Sequence, residues 1–183
     1  MTKTEAEKRD SAIKEILHRA GWDGIQPALV VQGRDQTLSL WGVEGCESVW
    51  PVSTGLAGFG NQENSGCTPI GLHRIAACIG EGAPLGAVFK GREWTGEVVV
   101  DRQEPGGDYI TTRILWLDGL EPGKNQGGSV DTHSRYIYLH GTPYHTQLGK
   151  PVSAGCIRMR NQEILALFDR VEVGTLVLIL SAN

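Results

Sequence analysis

A single, mainly β domain is the fold class this sequence predicts: many short strands in a mixed curved sheet or sandwich, with two or three helices. Three observations predict it. Short runs of β-branched and aromatic residues recur from Ala28 to Leu180, and glycine-bearing turns separate them. Helical periodicity shows only near the two ends, at Thr4–Ala20 and after Asn161. At 183 residues the chain is long enough for one well-packed domain and too short for two comfortable ones.

The first element is an amphipathic helix over Thr4–Ala20. Thr4 with Glu7 fits a capping box, Ile13, Ile16, Leu17 and Ala20 share a face, and Gly21 supplies the stop. Residues 1–22 are therefore set apart as an N-terminal helix, ahead of a domain over 23–183. Ala28–Val31 and Thr37–Trp41 read as a hairpin across Gly33–Asp35, and Ser48–Val52 as the next strand. Leu72–Ile79 is a strand carrying His73 and Arg74. Val98–Val100 is another, and Ile110–Leu117 is a long one whose outward residues include Thr112 and Arg113. Asp118–His133 has four glycines, one proline and no periodicity, so it reads as a lid or binding loop bordering a cleft. The chain closes with a helix capped by Asn161 and a strand over Thr175–Leu180.

Composition excludes several classes. The net charge of −4 is mixed along the chain with no basic block, so nucleic acid and anionic membrane are not expected partners. No segment approaches the ~20 apolar residues of a membrane span. Residues 1–9 are polar and charged where a secretory leader needs basic residues and then an apolar run, and a cytoplasmic setting is the expectation. Cys46, Cys67, Cys78 and Cys156 show no C-x-x-C pair and no zinc-like spacing. Three small core residues and one reactive thiol are expected, with no cofactor and no metal. A zinc hydrolase built from His73, His133, His140 and Cys156 finds no two ligands at helix or knuckle spacing.

The stretch most suggestive of chemistry is RYIYLHGTPYHTQLGKPVSAGCIRMRN, residues 135–161. Tyr136–Leu139 reads as a buried strand delivering His140 to its end, with Gly141 following. Sixteen residues later Cys156 sits in a Ser153–Ala154–Gly155 turn before the alternating Ile157–Arg160. A thiol becomes a strong nucleophile as the thiolate, and a nearby imidazole is the usual means of making one.

H-G-T, a loop and then S-x-G-C-I-R-M-x-N resemble the catalytic motif of the L,D-transpeptidase (YkuD-type) family. Val52–Gly55 (V-S-T-G) and Thr68–Gly71 (T-P-I-G) match two further landmarks ahead of it, so the likeness covers roughly residues 28–180. One position departs: where the family usually has a second histidine just before Gly-Cys, this chain has Ala154. The resemblance implies a bacterial cell-wall enzyme acting on peptidoglycan stem peptides. Cys156 would attack the L-configured carbonyl of the diaminopimelate–D-alanine bond of a tetrapeptide, with His140 as base and the Gly141 carbonyl as its orienter. The Gly155 and Cys156 N–H groups would hold the oxyanion, with glycine at 155 making room for the substrate. Arg158 would pair with a substrate carboxylate or brace the site's own loops. Ser153, Ala154, His73 and Tyr144 complete the candidate substrate contacts, with His145 a weaker one; a partnership of His73 with backbone is the competing reading.

Water as acceptor would make a cytoplasmic L,D-carboxypeptidase that releases D-alanine during murein recycling, the preferred expectation. An amine would make an L,D-transpeptidase forming 3–3 cross-links or exchanging D-amino acids. An inactive stem-peptide-binding module and a redox-responsive thiol protein are the readings of another class. Carbapenem-type inhibitors are expected to react with Cys156 in an active enzyme.

Overall fold

The computed structural model describes residues 4–103 and 106–181. Helix α1 (Glu5–Arg19) starts at Thr4, whose side chain accepts the Glu7 N–H while the Glu7 carboxylate accepts the Thr4 N–H. This is the expected capping box. Ile13 and Leu17 on its inner face are buried against Trp22, Val30, Trp41 and Leu178, and burying each contributes ~1.5–3 kcal/mol. No helix of the described residues is long and apolar enough to cross a membrane.

Ten strands make one curved mixed sheet: β1 (Ala28–Gln32), β2 (Thr37–Gly42), β3 (Gly45–Pro51), β4 (Gly71–Ile79), β5 (Ala87–Lys90), β6 (Glu93–Val98), β7 (Ile110–Gly119), β8 (Tyr138–Thr142), β9 (Ile157–Arg160) and β10 (Leu176–Leu180). The path runs β3-β2-β1-β10-β4-β7-β5-β6, and a branch leaves β7 through β8 to β9. Two pairings are parallel, β1 with β10 and β8 with β9; the others are antiparallel. Helix α2 (Asn161–Phe168) packs on β7, β8 and β9. The main core gathers Leu29, Leu40, Ile75, Leu115, Leu139, Ile157 and Met159 with Ile164 and Leu167 of α2.

Several expectations need correcting. The β5–β6 hairpin has no signature in the sequence, because every residue of β6 is exposed and so shows no alternation to read. Val98 ends that strand, and Val99 and Val100 lie beyond it. The strand bearing His140 starts two residues later than expected, since Tyr136 has φ +55°, outside the extended region; His140 is thus in its middle. Thr112 and Arg113 are buried rather than outward, because a bulge in the β7–β8 pairing and the φ of +69° at Thr112 break the alternation there. Asn161 is the first helical residue rather than the cap, a place held by Arg160. The 118–133 loop is pinned onto β4 by buried Asn125, whose amide donates to the carbonyls of Ile70 and Leu72.

Candidate active site

In a parallel pair, residues in register point to the same side. Leu139 is in register with Ile157 and His140 with Arg158. Leu139, Ile157 and Met159 enter the main core, whereas Tyr138 and Cys156 pack together on the opposite side with Ile114 and Phe89. His140 and Cys156 therefore share the face turned away from that core.

His140 is completely buried. Its Nδ1 donates to the Gly141 carbonyl at 2.8 Å, and since a carbonyl can only accept, Nε2 carries the lone pair. That Nε2 is buried with no hydrogen-bond partner among the described residues. Burial pulls the imidazole down to about 4, against a weaker upward pull from Asp108 and the Gly141 carbonyl, so it is neutral at pH 7. Gly141 itself admits no side chain: a Cβ there would stand 2.5 Å from the Asn161 Oδ1 and from the Thr111 carbonyl.

Cys156 is partly exposed. Its sulfur accepts the Tyr138 N–H at 3.4 Å and donates to the Tyr136 carbonyl at 3.5 Å. Desolvation pushes the thiol up to about 12, only partly offset by the Tyr138 N–H and the cations Arg158 and Arg135. The resting pair is a neutral thiol and a neutral imidazole.

The turn before Cys156 is built by the two earlier landmarks. Ser53 and Arg158 exchange backbone hydrogen bonds, the Ser153 N–H donates to the Thr54 carbonyl, and the Leu56 N–H donates to the Ser153 carbonyl. Thr68 Oγ1 accepts the Gly55 N–H and donates to the Gly155 carbonyl at 2.9 Å. Gly155 has φ +124°, and a Cβ on it would lie 3.1 Å from the Cys67 carbonyl. Glycine is thus required by this backbone, not by an approaching substrate.

The other expected contacts separate clearly. Ala154 is exposed and lies where two clefts meet, one of ≈ 600 Å³ that includes Asp108 and Arg158 and one of ≈ 350 Å³ that includes Glu63 and Tyr136. Both clefts are lined by neighbours of the thiol rather than by His140 or Cys156 themselves, and the hollows by Trp22 and by Ile16 lie among other residues. Arg158 is buried and pairs with the half-exposed Asp108 at 2.6 Å, the bracing contact of the two readings. Ser153 turns inward, its hydroxyl donating to the Cys156 carbonyl and accepting the Gly155 N–H at 3.1 Å. That bond engages a donor expected for the oxyanion. Tyr144 is buried, and its hydroxyl ties down Gly106. His73 is fully buried between the Gly71 carbonyl and the Thr132 hydroxyl, so the expected substrate contact gives way to a structural one. His145 lies 3.8 Å from Asp101.

Two participants carried no sequence signal, and a third has a different role from the one its sequence suggests. Asp108 sits on an aperiodic segment, and the Tyr136 carbonyl reaches the sulfur only through an unusual φ. Asn161, read as a cap, is a buried hub: its Oδ1 accepts from the hydroxyls of Thr111 and Thr112, and its Nδ2 donates to the Val100 carbonyl.

Fold and site together define a mixed-sheet β protein that presents an imidazole from one strand and a thiol from the turn entering its parallel partner. The family model for the L,D-transpeptidase catalytic domain, YkuD, matches residues 26–179, and the chain belongs to that family. ErfK/SrfK of Salmonella typhimurium, which carries the name probable L,D-transpeptidase, is 32% identical over 113 residues, 53% of this chain and 36% of the relative. The fold is shared with the L,D-transpeptidase of Xylanimonas cellulosilytica (TM-score 0.54, 14% identity, 92% of this chain and 69% of that one). It is shared also with L,D-transpeptidase 3 of Mycobacterium tuberculosis, solved with a faropenem-derived adduct (TM-score 0.51, 19% identity, 84% and 60%). The chain spans about a third of the length of the first curated relatives it matches.

Proposed function

We propose that this protein cleaves the L–D bond between diaminopimelate and D-alanine in peptidoglycan tetrapeptides by acyl transfer through Cys156. The observation that carries the reading is the His140 Nε2, an open lone pair with no partner among the described residues, on the face that bears the thiol. In the proposed reaction Sγ leaves the Tyr136 carbonyl and gives its proton to Nε2 as it attacks. A sulfur–carbon bond forms, the bond to D-alanine breaks, and Nε2 returns the proton to the departing amine. The Gly141 carbonyl steadies the imidazole meanwhile. With the Gly155 N–H engaged by Ser153, the Cys156 N–H is the proposed oxyanion donor. Arg158 takes a substrate carboxylate in place of Asp108.

Water completes the cycle in the preferred version, giving an L,D-carboxypeptidase that acts on murotetrapeptides recycled inside the cell. The open surface at Ala154 supports this, since it leaves water a route to the acyl-enzyme. The meeting of two clefts at the same residue supports a second version, L,D-transpeptidation, with one stem in each cleft. Incubation with disaccharide-tetrapeptide, with and without a D-amino acid, tests both by mass spectrometry. Loss of one alanine favours hydrolysis, and exchange of the terminal residue favours transpeptidation. No change, together with no carbapenem adduct at Cys156, sinks acyl transfer. Detection in cell fractions tests the cytoplasmic setting.

A further inference from the structure

Beside Cys156 an aromatic cluster already holds a cation that belongs to the protein. Trp116 stacks on Tyr136 with centroids 5.7 Å apart, meets Tyr138 edge-on at 5.9 Å, and stacks with the His133 ring at 3.9 Å. The Arg92 guanidinium lies 4.8 Å from the Trp116 ring centre and 5.2 Å from that of Tyr136, and it donates to the Tyr138 hydroxyl at 3.2 Å.

Three features separate this from ordinary packing. Among the described residues Arg92 makes no ion pair, so the cation is held by ring faces and one phenol. Such contacts release a cation more readily than a buried carboxylate would. Arg92 reaches the rings from the Gly91–Arg92 turn with φ +71°, a conformation that disfavours any side chain but glycine's hydrogen. And Tyr136 is about half exposed, so its ring is open to solvent rather than part of the core. The cluster also adjoins the thiol directly, because the Tyr138 N–H and the Tyr136 carbonyl are the two groups touching Sγ.

We infer that Trp116, Tyr136 and Tyr138 form a subsite for a cationic group, alkylammonium or guanidinium, of the molecule bound at Cys156, and that Arg92 fills it in the resting protein. The catalytic consequence rests on the acyl-transfer reading above; the binding does not. Arg92 swings out on the exposed β5–β6 hairpin when a ligand cation enters, so its own occupancy lowers the apparent affinity.

The test uses the full chain and simple probes, butylguanidinium and its uncharged counterpart butylurea. Titrations are followed by the indole N–H resonances, with Trp116→Phe assigning the relevant signal. Butylguanidinium should shift the Trp116 signal and bind about fivefold more tightly to Arg92→Ala than to wild type, with Arg92→Lys close to wild type. Butylurea should bind weakly to all three. Equal affinity in wild type and Arg92→Ala, an unmoved Trp116 signal, or butylurea binding as well as butylguanidinium overturns the inference. Arg92→Gln gives the same comparison if the alanine variant loosens the hairpin, as judged by its thermal midpoint. None of these readouts needs turnover, so they stand apart from any failure of the acyl-transfer reading.

Discussion

The Tyr138 backbone N–H points at the Cys156 sulfur from 3.4 Å, the distance of a hydrogen bond to sulfur rather than of mere packing. With the Tyr136 carbonyl on its other side, the thiol is held as a thiol. Because burial also keeps His140 neutral, the proton should move during attack and not before it.

That arrangement fixes how Cys156 should respond to pH. In a protein whose other three cysteines are replaced, iodoacetamide should modify Cys156 slowly at pH 7. The rate should still be rising past pH 9, because the thiol is pushed up to about 12. A plateau already reached at pH 7 would reveal a preformed thiolate–imidazolium pair. His140→Ala should lower acylation by ~10²–10⁴-fold, and Cys156→Ala should abolish it.

Acid should unfold the protein through its two fully buried histidines. Desolvation lowers both His73 and His140 from 6.5 to about 4. A depressed histidine adds stability that is fully present above 6.5 and lost as pH falls toward 4, because the unfolded chain takes up the proton first. The loss is on the order of 3 kcal/mol for each. Urea midpoints should therefore drop between pH 6.5 and 4, and His73→Gln should remove about half of that dependence. A midpoint constant across the window counts against both assignments.

Asn161→Ala should damage both stability and turnover. It strips the hydroxyls of Thr111 and Thr112 and the Val100 carbonyl of their shared partner, and it hollows the space against Gly141. A cost of ~3 kcal/mol is expected, or roughly 6–12 °C in the thermal midpoint. Since Gly141 carries the acceptor for His140, kcat should fall more than KM rises. A thermal midpoint within 2 °C of wild type, roughly a single kcal/mol, would show the hub to be dispensable.

Ala154→His places an imidazole at the junction of the two clefts. Acylation should persist while products shift from free tripeptide toward amine-exchanged peptide at a fixed D-amino acid concentration. An unchanged partition ratio with normal acylation would make Ala154 a neutral replacement.

The sequence made the frame legible where apolar periodicity and turn chemistry agreed. The α1 capping box, the β1–β2 hairpin, β4, β7 and β9 all follow from local pattern. The His140–Gly141 hydrogen bond was legible too, because the two are neighbours in sequence. What local pattern missed depends on distant segments. Ser153, Tyr144 and His73 look like ligands in one dimension, yet each is occupied by a backbone group brought from elsewhere in the chain or across its own turn. The β5–β6 hairpin left no alternation because neither of its faces is fully covered along β6.

The place of β10 bears on how the chain folds. The last of the ten described strands is an interior one, parallel to β1 on one side and antiparallel to β4 on the other. Without residues 176–180, β1 and β4 each present an unpaired edge. Closure must then join residues nearly the whole chain apart, which slows folding and lengthens exposure of those edges. Histidine and cysteine lie on one side of that seam, whereas the V-S-T-G segment supporting their turn follows β3 on the other. The hydrogen bonds of Ser53 with Arg158 and of the Ser153 N–H with the Thr54 carbonyl cross that divide directly, so the scaffold that aims the thiol also ties together the strands on either side of β10.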